Sequence, residues 1–370
     1  LKDGKVREEP RLHCHDAAPI KAAASDAYAG MKRAILVPQA RTKVVMDRAM
    51  IPLSKQTVAH LPIKSTIRKC LNKIKGPKAE PAGRAFEMPE EFEHFVKHDS
   101  GQHDPERIIA LGLPDLLEAL EESEMVFGDG TFEYAPSVFY QLYTFHAQIG
   151  TNYPPMIYFF LPNKTTKTYE RMLDIVLELC PQFRPSTFLV DYEMAMLKAL
   201  RSKFGEATIK GCYFHFTQCI RRKAIEKGLK KQYESVPETR LMIRSLMALA
   251  FVPVEDVVSL YKAVKSQFPK ETAYEELALY FKRTFVKANG GGDPLFPPHL
   301  WNHFASVESN DPRTSNCCEG FHNTLNSVFV NPHPSIREVL EGLEGDAFGH
   351  CRTYIHADHG RVEKRPRRDV

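Results

Sequence analysis

Residues 125–132 read MVFGDGTF, an apolar run that ends on an aspartate between two glycines. Because Asp-Gly between apolar segments is typical of a hairpin, one interpretation makes Asp129 a turn residue. The segment is too short to supply both arms of a hairpin, however, and the next strand pattern begins only at Val138. The other interpretation is a single strand that carries a carboxylate, with glycines that let a backbone or a phosphate approach closely.

A second carboxylate ends another apolar run, FLVD at residues 188–191. A run that is apolar on both faces predicts a central strand, and ligand sites in open α/β sheets lie at the carboxyl ends of such strands. Alternatively, Asp191 caps the helix that follows, with Glu193 as a first-turn carboxylate favoured by the helix dipole. The two interpretations are compatible.

A third carboxylate, Glu319, begins an amphipathic helix. One face of this helix is apolar and is expected to pack: Phe321, Leu325, Val328 and Phe329. The other face carries Glu319, His322, Asn323 and Asn326. Asn316 and Glu319 also have the spacing of a capping box. A face of this composition fits a metal or a phosphate better than it fits solvent.

The three acids together predict a cation site. Carboxylates at the ends of buried strands repel one another and lose hydration unless a cation holds them. Magnesium prefers oxygen ligands and is found beside phosphates, so the cluster indicates phosphodiester chemistry.

Composition places the chain among ordinary globular proteins. Of its 370 residues, 43% are hydrophobic and 26% are charged. No apolar stretch approaches the length of a membrane span and no signal peptide is recognisable, so no membrane partner is expected. The eight cysteines lack the regular spacing of a disulfide framework, which favours reduced thiols in the cytosol or nucleus.

The charge is unevenly distributed. Residues 1–80 carry a net +10, whereas the whole chain carries +4, so the remainder carries −6. This basic arm either attracts a polyanion or is a solvated linker. Residues 1–30 are Ala-rich and expected to be irregular, and residues 65–75 have the apolar stripe of a helix at Ile67, Leu71 and Ile74. The segment 76–83, GPKAEPAG, has the composition of a linker.

From about residue 85 the pattern predicts a mixed α/β sheet. The expected strands are 125–132, 138–149, 155–161, 186–191 and 207–214, and the expected helices are 167–180 and 193–204. Residues 217–290 lack strand patterning and are expected to be mostly helical.

The segment 211–219, GCYFHFTQC, contains Cys212 and His215 at a spacing found in zinc sites. A closed site needs four ligands, and the other Cys/His cluster, at Cys317, Cys318 and His322, is distant in sequence. A buried strand cysteine and histidine are therefore the default. The cations that follow are either a solvated face or a phosphate track: Arg221, Arg222, Lys223, Lys227, Lys230 and Lys231. A basic tail at 364–368 is either a nuclear import signal or a frayed end.

Four motifs, in this order, resemble the transposase domain of Mutator-like DNA elements, the MULE domain. They are D-G-T-F from Asp129, D-x-E-x-A from Asp191, G-C-x-F-H-x-x-Q from Gly211, and R-T-x-N-x-x-E-G-x-H-x-x-L-N from Arg313. Each motif is weak by itself, but four in order are specific. His13 and His15 are similar to the last two ligands of a FLYWCH-type zinc finger, and residues 61–68 to the linker helix that follows one.

This resemblance implies a ribonuclease-H-like fold and a DDE triad of Asp129, Asp191 and Glu319 that holds two Mg²⁺ or Mn²⁺ ions. It implies metal-dependent DNA cleavage and strand transfer, with Cys212, His215, His322 and Asn323 supporting the site. The expected DNA contacts are Arg221, Arg222, Lys223, Lys227 and Arg313. The expected partners are DNA, as terminal inverted repeats and target DNA, and further copies of the chain in a homo-oligomer. The expected location is the nucleus. Zn²⁺ is expected in the upstream finger.

The expected domains are a finger remnant and linker at 1–30, a basic helical linker at 31–84, a transposase domain at 85–350 with a helical insertion at about 217–300, and a basic tail at 351–370. A rival interpretation is a domesticated, non-cutting DNA-binding regulator. A third, an RNA-cleaving nuclease on the same sheet, has less support in the pattern after Arg313.

Overall fold

The computed structural model describes residues 19–36, 42–50, 52–75, 83–287, 292–329 and 331–358. The chain divides into two compact units, residues 1–80 and 81–370, with the boundary inside the linker-like segment 76–83. His13, His15 and the basic segment 364–368 lie outside the described residues. No helix in the described ranges has both the length and the apolar composition needed to cross a membrane.

The first unit is helical, with α1 at Pro19–Ala34, α2 at Thr42–Met50, α3 at Lys55–Ala59 and α4 at Lys64–Lys75. The expectation of irregular structure is therefore wrong for residues 19–30, because the alanines there have high helix propensity and Ala24 and Met31 are buried. In α4, Ile67 and Leu71 are buried and Ile74 is partly buried, as the stripe predicts.

The second unit contains one seven-stranded mixed sheet, in agreement with the predicted class. Its strands are β1 Val96–Asp99, β2 Ile109–Gly112, β3 Met125–Thr131, β4 Gln141–Ala147, β5 Pro155–Leu161, β6 Thr187–Val190 and β7 Thr208–Gly211. Their order across the sheet is β1-β2-β5-β4-β3-β6-β7. In this order across the sheet, the four neighbouring pairs β1-β2, β2-β5, β5-β4 and β4-β3 are antiparallel. The pairs β3-β6 and β6-β7 are parallel. This arrangement is compatible with a ribonuclease-H-like fold.

Helices lie between several of the strands up to β7, and the described elements after β7 are helices. They are α5 Pro114–Glu121, α6 Thr166–Leu179, α7 Met194–Lys203, α8 Tyr213–Glu226, α9 Lys230–Ser235, α10 Pro237–Ala248, α11 Val257–Ser266, α12 Thr272–Phe281, α13 Pro298–Trp301, α14 Phe304–Glu308, α15 Asn316–Val328 and α16 Ile336–Asp358. The strand predicted at 207–214 ends at Gly211, so the prediction is wrong for its last residues. From Tyr213 on, the described residues contain helices and no strand.

Helices cover both faces of the sheet. On one face, the Tyr169 ring of α6 contacts the Tyr143 ring of β4, with centroids 5.6 Å apart. On the other, Phe321 of α15 contacts His146 of β4 at 5.4 Å and Tyr158 of β5 at 5.9 Å. Successive strand residues point to opposite faces, and every residue of the central strands β4 and β5 is buried, which explains their largely apolar sequences.

Candidate active site

Asp129 lies inside β3 and not in a hairpin turn, so the turn interpretation is wrong. It pairs with Thr144 of β4 in an antiparallel register and is buried. A side chain at Gly130 would meet Gln141 Oε1 at 2.7 Å, and one at Gly128 would meet the Tyr143 hydroxyl at 2.7 Å. The absence of a side chain at Gly128 and Gly130 therefore leaves room for Tyr143 and Gln141 of β4, and close approach of a phosphate stays a prediction.

Asp191 follows β6, the strand beside β3. The parallel register pairs Gly128 with Val190, so Asp129 and Asp191 are the next residues of two strands that lie about 4.8 Å apart. The N-cap of α7 is Glu193, without a side-chain cap bond, so Asp191 is not the cap. Asp191 Oδ1 instead accepts a hydrogen bond from Glu193 N at 3.2 Å, which orients the carboxylate at the strand end.

Helix α15 brings Glu319 to the same face. Phe127 and Leu189 share a face with Asp129 and Asp191 because strand side chains alternate, and Cys318 of α15 packs against both. The predicted capping box is wrong, since the N-cap is Ser315 and it makes no side-chain cap bond. Glu319 is left half-buried, and its charge is among the influences on Asp129. The apolar face of α15 packs as predicted.

Burial and mutual repulsion set the ionisation of the aspartates. Desolvation, followed by the charge of Asp191, raises the pKa of Asp129 to about 7, and Glu319 adds to this. Desolvation also raises the pKa of Asp191, while His215 and Lys164 oppose the rise. Burial and the nearby charge of Asp191 raise the pKa of Glu193. This end of the sheet therefore holds more negative charge than its own cations neutralise.

Cys212 and His215 occupy the start of α8, not a strand, which corrects the default interpretation. Burial opposes the charge of His215, but its hydrogen bond with Cys212 and the charges of Cys212, Asp129 and Asp191 raise its pKa to about 9. Burial likewise favours the neutral thiol of Cys212, yet hydrogen bonds with His215 and Ser315 lower its pKa. The pair places a cation beside the two aspartates.

Cys212 also joins three elements that carry site residues. Its N–H donates to Val190 O at 2.7 Å, and its Sγ accepts from Ser315 N at 3.3 Å. Nearby, Tyr213 N donates to Arg313 O at 2.9 Å. The end of β6, the start of α8 and the start of α15 are therefore tied at one point. This tie positions Asp191, His215 and Glu319 relative to one another.

Of the predicted supporting residues on α15, His322 is in place and Asn323 is not. His322 Nδ1 lies 4.0 Å from Asp129 Oδ2, and desolvation followed by the charge of His215 lowers its pKa to about 4. Asn323 is exposed, and Asn326 accepts a hydrogen bond from Tyr134. His322 Nε2 and His215 Nδ1 are both buried without a hydrogen-bond partner.

An open cleft of about 500 Å³ borders the acids. It is lined by Lys164, Asp191, Tyr192, Glu193, Met194, Ala195, His215, Gln218, Cys219 and Arg222. Of the predicted phosphate track, Arg222 faces this cleft, whereas Lys223 pairs with Glu226 at 2.7 Å and Lys227 with Glu276 at 2.8 Å. Arg221 lies over the Tyr233 ring, and Arg313 is half-buried.

Sequence reasoning missed Lys164, which follows β5. Because β5 runs parallel to β3, the ends of both strands lie at the same edge of the sheet. The charge of Lys164 lowers the pKa of both Asp191 and Glu193. Only the strand order reveals this position, so no local signal in the sequence could have identified it.

The carboxylate oxygens of Asp129, Asp191 and Glu319 are suitable ligands for hard divalent cations, but the three groups are too far apart to bind one ion together. The three carboxylates do not place oxygens within 4.8 Å of one another; in the described part of the chain, the group of three donors that does so is His146, Cys317 and Cys318. Two ions, about 3.5–4 Å apart in known two-metal sites, do not need all three acids at one centre. Desolvation, followed by repulsion from Asp191, raises the pKa of Asp129, and a divalent cation at the site would offset both costs.

Comparison with protein families agrees with this geometry. Residues 125–219 match the model of the MULE transposase domain. The matched span runs from β3 into α8 and contains Asp129, Asp191, Cys212 and His215, and it suggests a transposase-related function. A search of curated proteins found no match to the chain.

Proposed function

We propose that this chain is a DDE transposase of a Mutator-like element, with a ribonuclease-H-like fold and with DNA as its substrate. The observation that carries the proposal is the placement of Asp129, which is buried within β3, beside half-buried Asp191, which directly follows the adjacent parallel strand β6, on one face of the sheet. A structural carboxylate has no reason to be held beside a second one in this way, because each raises the cost of ionising the other.

Asp129, Asp191 and Glu319 would hold Mg²⁺ or Mn²⁺, whose oxygen preference matches their carboxylates. When bound, such ions activate water or a DNA 3′-hydroxyl for in-line attack and stabilise the leaving oxygen. His215 favours the ionised form of both aspartates and so keeps them competent as ligands. Cys212 holds His215 through their hydrogen bond, so its role here is to position that cation.

Cationic and aromatic side chains would receive the DNA. Lys164 and Arg222 line the cleft beside Asp191 and suit phosphate oxygens. At the same sheet edge, Phe132 and Tyr140 are 44% and 45% exposed, with ring centroids 5.0 Å apart and Lys164 Nζ 5.5 Å from the Phe132 ring. Exposed aromatic rings beside cations are typical of surfaces on which unpaired bases stack.

The test is cleavage of duplex DNA that carries the element's terminal inverted repeats, with purified chain and Mn²⁺. The wild-type protein is expected to nick at the repeat ends, and Asp129→Asn to lose nicking while it still binds the duplex. Glu255→Gln, which changes an exposed acid that does not line the cleft, is the matched control and should nick normally.

Two results would contradict the proposal. Nicking that survives Asp129→Asn would remove the triad from the reaction. Specific binding of the repeats by a wild-type protein that never nicks them, with any divalent ion, would identify a domesticated DNA-binding regulator instead.

A further inference from the structure

A second cluster of donor atoms lies on the same face of the sheet, next to the carboxylates but without using them as ligands. His146, Cys317 and Cys318 each offer one ligand atom, and these atoms all lie within 4.8 Å of one another. The two Sγ atoms are 3.9 Å apart. Tetrahedral zinc with Zn–S bonds of about 2.3 Å separates two sulfur ligands by about 3.8 Å, so the observed spacing fits this ion without rearrangement.

The hydrogen bonds of His146 leave one of its ring nitrogens able to act as a ligand. Its Nδ1 lies 3.1 Å from the carbonyl oxygen of Tyr153, which can only accept, so Nδ1 carries the proton. Nε2 therefore presents its lone pair, 3.0 Å from the Thr144 hydroxyl. That hydroxyl has a second acceptor in Asp129 O at 3.4 Å, so it can release Nε2. A histidine that binds a metal through one ring nitrogen usually donates the N–H of the other to a carboxylate, a backbone carbonyl or water, as Nδ1 of His146 does to Tyr153.

The surroundings select the ion. Cys318 is fully buried and packs against Phe127 and Leu189, and His146 is fully buried as well. Two thiolates and one Zn²⁺ sum to zero charge, which a buried, already acid-rich region tolerates, whereas Cu⁺ would leave a negative charge there. Mg²⁺ and Mn²⁺ prefer oxygen over thiolate. Half-buried Cys317 leaves a side open for a fourth ligand from solvent.

We propose that His146, Cys317 and Cys318 bind one Zn²⁺ that fastens helix α15 to strand β4. The ligands come from both elements, and Cys318 directly precedes Glu319, so the ion would fix the position of that carboxylate over the sheet. This site does not depend on the proposed DNA cleavage. Zinc binding can be measured on a protein that never nicks DNA, so failure of either proposal is recognised separately.

The test compares metal content in the full chain. To remove a competing histidine pair, His13 and His15 are both changed to alanine in every sample. After chelation and reloading with Zn²⁺, mass spectrometry of the metal should show one equivalent more in this parent than in Cys317→Ser/Cys318→Ser. With Co²⁺, the parent should show thiolate-to-cobalt absorption that the double variant lacks. Cys70→Ser, a thiol in the first unit, is the matched control and should keep both signals.

Equal zinc content in the parent and the double variant, or cobalt binding without thiolate absorption, would overturn the proposal. Should the double variant fail to fold, alkylation of Cys317 in the parent decides. Zn²⁺ should slow that reaction at least about tenfold, because a coordinated thiolate is not free to react. An unchanged rate, or a disulfide between Cys317 and Cys318 in the isolated protein, would overturn it equally.

Discussion

Two carboxylate sites in the same unit, at half-buried Asp99 and at buried Asp129, differ in what surrounds them. Asp99, at the end of the edge strand β1, accepts hydrogen bonds from Arg107 Nε at 2.8 Å and from Gly101 N at 2.9 Å. Arg107 is almost fully buried and also donates to Phe86 O at 2.7 Å. Asp129 accepts a hydrogen bond from the adjacent Gly130 N at 2.8 Å, and a second carboxylate, that of Asp191, lies nearby. The His322 Nδ1 atom is 4.0 Å from Asp129 Oδ2.

The pKa values follow from this difference. Burial acts to raise the pKa of Asp99, but the hydrogen bonds and charge of Arg107 outweigh it, and the result is a lowered pKa. At Asp129 burial and Asp191 prevail and the pKa rises. Under the proposed function, Asp129 is an acid whose charge a bound metal ion would neutralise, whereas the charge of Asp99 is neutralised by Arg107 within the fold.

The largest effect should come from the remaining acids of the candidate site. Asp191→Asn and Glu319→Gln are each expected to lower Mn²⁺-dependent nicking by about 10³-fold or more, because each removes a ligand charge that the metal needs, worth several kcal/mol in the transition state. Single-turnover nicking of a labelled repeat end measures this. If Glu319→Gln nicks DNA at the same rate as the wild type, Glu319 is not a ligand that the reaction needs, and the site consists of the two aspartates.

Removing the cation of the structural pair should instead damage the fold. Arg107→Ala is expected to lower the free energy of unfolding by about 2–3 kcal/mol, because half-buried Asp99 would lose its charged partner and the carbonyl of Phe86 would lose a donor. Urea denaturation checks the value. The double change Asp99→Asn/Arg107→Met should recover part of the loss. A loss below about 1 kcal/mol would mean that Asp99 is solvated and that the comparison fails.

The sequence predicts the type of several elements better than it predicts their boundaries. Strands β3 and β6 contain apolar runs that lead up to an acid, so their strand character could be inferred from local pattern. Strand β1 reads VKHD and is half-buried along its length, so no apolar pattern marks it. The aromatic run at 213–216 has high strand propensity, yet it begins helix α8.

Tertiary packing explains that error. Phe216, Ile220 and Ala224 recur at helical spacing and are buried, and Phe216 stacks on Trp301 with centroids 5.0 Å apart. This contact lies 85 positions away in sequence, so propensity could not anticipate it. His146 was missed for a related reason. Its nearness to Cys317 depends on the register of β4 on β3, which a single sequence does not reveal.

The next effect in size concerns pH. Because the pKa of Asp129 is about 7 in the folded chain, against 3.8 for the free group, the folded state binds the extra proton between these values. Stability from this group is therefore full below about pH 4 and falls as pH rises to about 7. In chelator-treated protein, Asp129→Asn should raise the free energy of unfolding by on the order of 1–3 kcal/mol at pH 8.

This gain should shrink towards zero as pH falls to about 4, since the protonated acid and the amide are alike in charge. Thermal unfolding of both proteins across the pH range measures it. A gain that is independent of pH would mean that the amide packs better for reasons other than charge. Lower stability at pH 8 would mean that Asp129 is ionised and compensated as Asp99 is.

The smallest effect concerns the cations of α8. As with the two aspartates, they differ in whether a residue of opposite charge neutralises them within the fold. Arg222 lines the cleft and, among the residues that the structure describes, donates a hydrogen bond to the neutral Gln218 at 2.7 Å, whereas Lys223 is neutralised by Glu226. Arg222→Ala should therefore weaken DNA binding several-fold and reduce the slope of log K against log salt by about 1. Lys223→Ala, the matched variant one position along, should change the slope by clearly less. Fluorescence anisotropy at several salt concentrations tests both. Equal slopes for the two variants would mean that DNA displaces Glu226 from Lys223, and that pairing within the folded chain does not decide which cations meet phosphate.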